Sequence, residues 1–316
     1  MKPKKNILSI ISLSLVISMS LLVTINAQLQ SSTDYNVAVD EELSNTVVPG
    51  NSSDVILEDN DLIDKGEREC LISMWNHRRN LDPTELVEEL GFNLIWSHDQ
   101  PYTGQSWEEA HMCKLLKIPG VKYVFAKIER AAWGWTHEQS LKHAKWVAEL
   151  SLEHPGILGV YLNDFYDEVE DGYRTEEQWR EIIAAAKGIN PKLQIWVPHY
   201  PHRNQGRHAF DFDINGVILN LWGNDPELIA GAREHITAGL EHHPDKPVIA
   251  GLYLRSGQDG GRWLTEEEFK STLGLYVELV NAGKLAGLRI FSAGQLLERP
   301  EYIEWAKEVL SGLKCP

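Results

Sequence analysis

The stretch 158–197 opens as Leu158-Gly-Val-Tyr-Leu-Asn-Asp-Phe-Tyr-Asp-Glu168 and closes as Gln194-Ile-Trp-Val197. An apolar run, Leu158–Leu162, reads as a strand that breaks into a cluster of carboxylates. Thr175 and Gln178 then fit the S/T-x-x-E/Q capping box at the start of an amphipathic helix. Gln194–Val197 reads as the next strand. A strand, a helix and a second strand in this order imply two parallel strands joined by a crossover.

The same unit repeats outward in both directions. Apolar, β-branched or aromatic runs at Leu71–Trp75, Asn93–Trp96, Lys122–Ile128, Val217–Leu221, Val248–Leu254 and Leu288–Phe291 complete a set of eight expected strands. Ser106 with Glu109, Thr136 with Gln139 and Thr265 with Glu268 mark further capping boxes. Asp82-Pro83 and Asp225-Pro226 offer two more helix starts with proline in the first turn. The connection Pro201 to Asp213 is the weak point, with little helical pattern. Eight alternating units over roughly 250 residues predict a single-domain (β/α)8 TIM barrel, fold class α/β, across 66–316. The competing open sheet usually carries a nucleotide, and no G-x-G-x-x-G or P-loop stands at any strand-to-helix turn. No cofactor is expected.

The ends of the chain set its expected setting. Lys2, Lys4 and Lys5 precede an apolar run from Ile7 to Val23, and Ile25-Asn26-Ala27 offers a cleavage point, so 1–27 reads as a signal peptide. The run approaches the roughly 18 residues of a membrane anchor, but its serines favour cleavage. Residues 28–65 hold nine acids against the single base Lys65, and read as a solvated acidic leader without a core of its own. A secreted or periplasmic, monomeric protein is expected, with no membrane partner once the signal is removed. The formal net charge of −16 argues against nucleic acid as a partner.

Barrel enzymes carry their chemistry where strands end and the following loops begin. Here those positions hold Trp75-Asn76-His77, Trp96-Ser97-His98-Asp99, Lys127-Ile128-Glu129-Arg130, Asn163-Asp164, His199-Tyr200, Asn220-Leu221-Trp222 and Tyr253-Leu254-Arg255. Strand eight ends blandly in Ser292-Ala293-Gly294. At least five of the 11 tryptophans, Trp75, Trp96, Trp133, Trp135 and Trp222, fall at or just past strand ends. Aromatic faces interleaved with Asn, His, Asp and Arg suit sugar rings, which have apolar faces and hydroxyl edges. Trp146, Trp179 and Trp305 lie within helices and read as packing residues.

Glycosidic cleavage needs two carboxyl groups, one protonating the leaving oxygen and one acting as nucleophile or activating water. Asp164, which ends strand four, is the first choice, and Glu129 on the neighbouring strand is its best partner. Asp167 and Glu168 follow as catalytic candidates. Trp75, Asn76, Trp96, His98, Asp99, Lys127, His199, Tyr200, Asn220, Trp222, Tyr253 and Arg255 are the candidate substrate contacts.

The segment GVYLNDFYDE (159–168), with His154-Pro155-Gly156 before it and INPKLQIWVPHY (189–200) after it, resembles the barrels of glycoside-hydrolase-like secreted bacterial proteins. The resemblance spans Leu71 to Gly294 and implies an acidic strand-four segment lining a sugar site. Two departures stand out. Tyr253 and Arg255 occupy the end of strand seven, where the best-known pattern has a nucleophilic Glu, and the D-x-x-D-x-D-x-E run of chitinase-like barrels is absent.

The expected function is therefore a glycoside hydrolase acting on a poly- or oligosaccharide. Three alternatives stay open. A polysaccharide lyase would use Tyr253 or His199 as base and Arg255 and Lys127 to neutralise a uronate. A metal-dependent barrel would gather His77, His98, His199 or His202 with Glu129 and Asp164, although no H-x-H stands on strand one and no H-E-x-x-H occurs. No metal is expected. The third is a barrel that binds glycans without turnover. Finally, Cys70 at the foot of strand one and Cys315 after the last helix are expected to meet at the barrel seam as a disulfide, with Cys113 a buried free thiol.

Overall fold

In a computed structural model the described residues are 70–314, apart from 77–79, 204–211, 223–224 and 256–260. The expected signal peptide, acidic leader, His77 and Cys315 lie outside them. Eight parallel strands close into a barrel in sequence order: β1 Leu71–Trp75, β2 Leu94–Ser97, β3 Tyr123–Ile128, β4 Ile157–Leu162, β5 Gln194–His199, β6 Gly216–Leu221, β7 Val248–Tyr253 and β8 Gly287–Phe291. The ring closes where Leu71 pairs Gly287 and Met74 pairs Ile290. The fold is a (β/α)8 TIM barrel, and each strand falls within two residues of its expected bounds at either end.

The helices are α1 Thr84–Leu90, α2 His111–Leu116, α3 His137–Glu153, α4 Phe165–Glu170, α5 Glu176–Ile189, α6 Pro226–Ala230, α7 Ala232–His242, α8 Glu266–Asn281, α9 Ala293–Glu298 and α10 Glu301–Leu310. Three capping boxes form as expected, at Thr136, Thr175 and Thr265. The Ser106 box is displaced. The Glu109 carboxylate accepts the Ser106 N–H at 2.9 Å, yet only one turn forms there and α2 starts at His111. The short helices α4 and α9 follow their strands directly and were not foreseen.

Two packed layers hold the barrel. Leu71, Trp75, Leu94, Trp96, Phe125, Leu158, Tyr161, Trp196, Ile218 and Ile249 fill the interior. A larger shell, including Ile95, Val124, Val160, Val197 and Leu219, packs the outer faces of the strands against the helices. This is the two-sided burial that parallel barrel strands require. Interior rings this large need small neighbours. A Cβ at Gly216 would lie 2.4 Å from the Trp196 indole, so glycine there makes room for the ring. Cys113 is a buried free thiol in α2, and Cys70 is buried at the foot of β1. No helix among the described residues is long and apolar enough to cross a membrane.

Candidate active site

At the C-terminal ends of β3, β4 and β5, three strands deliver two carboxyl groups and their partners to one place. Glu129 follows β3 and is buried. Its Oε1 accepts the Arg130 N–H at 2.9 Å and the Asn163 side-chain amide at 2.7 Å. Its Oε2 is paired with the Lys127 ammonium, and His98 Nδ1 stands 3.9 Å away. The Lys127 ammonium also lies 5.2 Å from the centre of the Trp75 ring and 5.7 Å from that of Trp133. A carboxylate with this many donors is held as an acceptor and cannot turn freely.

Asp164 comes directly after β4, with φ 45° and ψ 37°. Among the described residues it is the only non-glycine side chain in the left-handed region. Such a backbone costs free energy and persists where surrounding contacts dictate it. Those contacts are visible. Tyr200 donates its hydroxyl to Asp164 Oδ1 at 2.8 Å, Arg130 Nη1 lies 3.5 Å from Oδ2, and Asn163 reaches Oδ2 at 3.5 Å. Burial pushes the Asp164 carboxyl above its ordinary pKa. The Tyr200 hydrogen bond and Arg130 pull it back, while Asp167 and Glu129 push it further up. Asn163 thus bridges the two acids, which places their nearest oxygens within about 6 Å of each other.

Around this pair the structure brings Lys127, Tyr200, Tyr253, Trp75 and His98 into the floor and walls of the mouth. Tyr253 stacks on Phe291 with ring centres 4.3 Å apart. Two aromatic side chains stand at the rim: Trp133 is 54% exposed and Trp222 37%. Arg203 lies 5.1 Å from the Trp222 ring and 3.8 Å from Asp167, which sits on α4 facing the same rim. Arg255 is engaged with Glu298 at 3.8 Å and with the Trp263 ring, on the β7 side.

Several candidates are placed elsewhere. Trp96 is fully buried in the barrel interior, its Nε1 donating to Ser73 Oγ at 3.0 Å and its ring stacked on Phe125. It is a core residue and not a sugar platform. Asn76 and Asn220 are likewise fully buried. His199 turns outward with Ile195 and Val197, and its Nδ1 lies 2.8 Å from His243 Nε2 between sheet and helices. Strand alternation sends it away from the mouth, while Tyr200 next to it points in. His243, set aside in the sequence as lying on the wrong face, is its partner. Glu168 is fully buried, accepting the Ala131 and Ala132 N–H groups and lying 3.5 Å from both Arg130 and Arg174. It fastens the β3 loop to α4 and has no access to substrate. Asp99 is a loop tie as well, accepting the Ser97 hydroxyl and the His111 N–H that starts α2.

Sequence reading passed over strand eight, which supplies Phe291 to the mouth and Arg289 to the interior. The signal was present in Gly287-Leu-Arg-Ile-Phe291, where a charged residue interrupts an apolar strand at an inward position. Asn163 and Arg130 were visible in the quoted stretches but were not singled out. Among the described residues, no group of three or more His, Cys, Asp or Glu side chains is arranged to hold a metal. The gathering of histidines with Glu129 and Asp164 is thus not formed by the residues seen here.

No family model matches the chain, and no curated protein matches it. Solved structures do resemble it. A GH18 chitinase from Pseudoalteromonas aurantia aligns with 77% of this chain and 99% of its own, at 12% identity and a TM-score of 0.53. A GH2 β-galacturonidase from Eisenbergiella tayi aligns over 79% of this chain at 13% identity and a TM-score of 0.54, and the chain spans about half (52%) of that protein. A thermostable xylanase mutant from Cellvibrio japonicus aligns over 71% of this chain and 86% of its own, at 14% identity and a TM-score of 0.51. At these identities the likeness is one of fold, a TIM barrel of the kind glycoside hydrolases use.

Proposed function

We propose that the protein is a glycoside hydrolase acting on a poly- or oligosaccharide, with Asp164 as general acid and base and Glu129 as nucleophile. The observation that carries this reading is the Glu129–Asp164 pair, bridged by Asn163 at the C-terminal face of a barrel. A carboxyl whose proton affinity burial raises, beside one held by cationic and amide donors, suits the division of roles glycosidic cleavage needs. Asp164 gives its proton to the leaving oxygen as Glu129 attacks the anomeric carbon. Asp164 then takes a proton from water as that water displaces Glu129. The separation of about 6 Å or less sits below the roughly 6.5–9.5 Å of inverting enzymes, so retention of configuration is expected. Exposed Trp133 and Trp222 supply ring faces on the rim.

Against the lyase reading, His199 faces the helices, and burial raises the Tyr253 phenol, which makes it a poor base at neutral pH. The decisive experiment is a screen of the wild-type protein and the Asp164→Asn variant against a panel of polysaccharides, with product anomers followed by NMR. Turnover by the wild type, with a loss of about 10²–10⁴ in the variant, is expected. Equal activity of the two proteins would remove Asp164 from the chemistry. An unsaturated product would make the protein a lyase, and glycan binding without turnover would make it a binding barrel.

A further inference from the structure

Each of the two exposed tryptophans of the rim carries an arginine. Trp133 ends the single turn Ala131–Trp133 after β3 and is 54% exposed, and the Arg130 guanidinium carbon lies 5.7 Å from its ring centre. Trp222 directly follows β6 and is 37% exposed, with the Arg203 guanidinium carbon 5.1 Å from its ring centre. Each arginine also faces a carboxylate. Arg130 Nη1 lies 3.5 Å from Asp164 Oδ2, and Arg203 Nη1 lies 3.8 Å from Asp167 Oδ2. A guanidinium held against an indole and a carboxylate at once fixes the attitude of the ring, so the platform is built before a ligand arrives.

The two pairs reach Asp164 from opposite sides. On the side of Oδ2 stands Arg130, and beyond it Trp133. On the side of Oδ1 stands Tyr200, whose hydroxyl donates at 2.8 Å. Arg203 follows, 5.8 Å from the Tyr200 ring centre, and beyond it Trp222. In the barrel β4 and β5 separate β3 from β6, so the carboxyl after β4 sits between the two platforms. Trp263 past β7 provides the contrast. It also meets two arginines, Arg255 at 5.6 Å and Arg299 at 4.9 Å, but it is part-buried and packs on Tyr302 at 5.7 Å. Units remote from a reacting bond add to catalysis only where a surface exists to receive them. Here such surfaces stand on both sides of the acid.

We propose that the pairs Arg130–Trp133 and Arg203–Trp222 are opposite arms of one cleft. The cleft holds a linear glycan with a sugar ring on each tryptophan and Asp164 facing the bond between them. Trp133 and Trp222 are then substrate-binding residues, and the ligand is an internal stretch of a polymer, not a terminal sugar. That the internal bond is cleaved rests on the hydrolase reading, whereas the two-sided cleft is read on binding alone.

The test uses the full chain and oligosaccharide ladders of cellulose, xylan, chitin and galacturonan, from disaccharide to hexasaccharide. Binding is followed by calorimetry in the Asp164→Asn protein, alone and with Trp133→Ala, Trp222→Ala or both. In one ladder, affinity is expected to keep rising beyond the disaccharide. Each tryptophan variant should weaken the hexasaccharide about tenfold, and the two losses should multiply, with melting temperatures unchanged. The wild type should release mixed short chains from the hexasaccharide in its first products. Affinity that stops rising at the disaccharide in every ladder overturns the proposal, as does a loss confined to one tryptophan. Release of single sugars from one end alone overturns it too. Two-sided binding with no cleavage by the wild type removes the hydrolase reading and leaves the cleft standing.

Discussion

Asp164 combines a left-handed backbone with a carboxyl whose ionised form burial disfavours, and both features cost stability. Its folded pKa is raised, so its favourable contribution is complete below the unfolded value and is lost as pH rises through the folded one. Asp164→Asn removes the ionisation and suits the left-handed backbone better. This variant is therefore expected to melt higher than the wild type at neutral pH, by about 2–4 °C for each kcal/mol gained, measured by calorimetry. Glu168 lies at the opposite extreme. Glu168→Ala strands Arg174 without its acid and frees two backbone N–H groups, and a loss of about 3–5 kcal/mol in urea unfolding is expected. The two tryptophans separate in the same way. Trp96→Ala empties the interior and is expected to cost about 3–5 kcal/mol of stability, whereas Trp222→Ala is expected to weaken glycan binding by roughly 1–3 kcal/mol with little change in melting.

At the scale of elements, local signals were sufficient for the strands and for the helices with complete caps. The apolar runs of β1 to β8 are long enough to declare themselves, and the boxes at Thr136, Thr175 and Thr265 place their helices to the residue. What failed was parity. Treating each polar residue past a strand end as mouth-facing put His199 in the site, although Trp196 turns inward and alternation sends residue 199 outward. Arg289 was lost for the complementary reason, because it lies inside a strand and not after one. Glu168 and Asp99 show a third limit. Sequence marks a carboxylate, but only the fold shows which N–H groups already occupy it.

The histidines of β5 and α7 carry a pH consequence. Burial, then the charge of neighbouring histidines, lowers His243 to about 3, and burial with His235 beside it lowers His202 to about 4. Depressed folded values mean that the neutral form is the one that folds. Its stabilisation is fully present above the unfolded pKa of about 6.5 and is lost as pH falls below it. The melting temperature is expected to drop between about pH 7 and pH 5, and to drop less in His243→Gln. A melting curve as steep in the variant as in the wild type would remove His243 as the cause.

On the scale of the whole molecule, closure between β1 and β8 puts Cys70 at the seam where α10 also packs, with Lys307 of α10 2.7 Å from Glu89 of α1. Cys315 lies outside the described residues, and a Cys70–Cys315 disulfide in an exported protein remains our proposal. By loop closure it would stabilise by about 5 kcal/mol. Non-reducing peptide mapping of protein from the exported fraction is expected to yield the linked peptide, and a free thiol at Cys315 would sink the pairing.

The packed interior has a further effect, on traffic. Trp75, Trp96, Phe125, Tyr161 and Trp196 stop the barrel axis with a plug of rings, so nothing passes from one face to the other. The mouth has one door. Under the hydrolase proposal, a glycan chain would lie across it, never thread through it, and both fragments would leave by the side on which the chain arrived. On that proposal departing product and arriving substrate would compete for the same threshold, and short product sugars are expected to inhibit turnover competitively in initial-rate measurements.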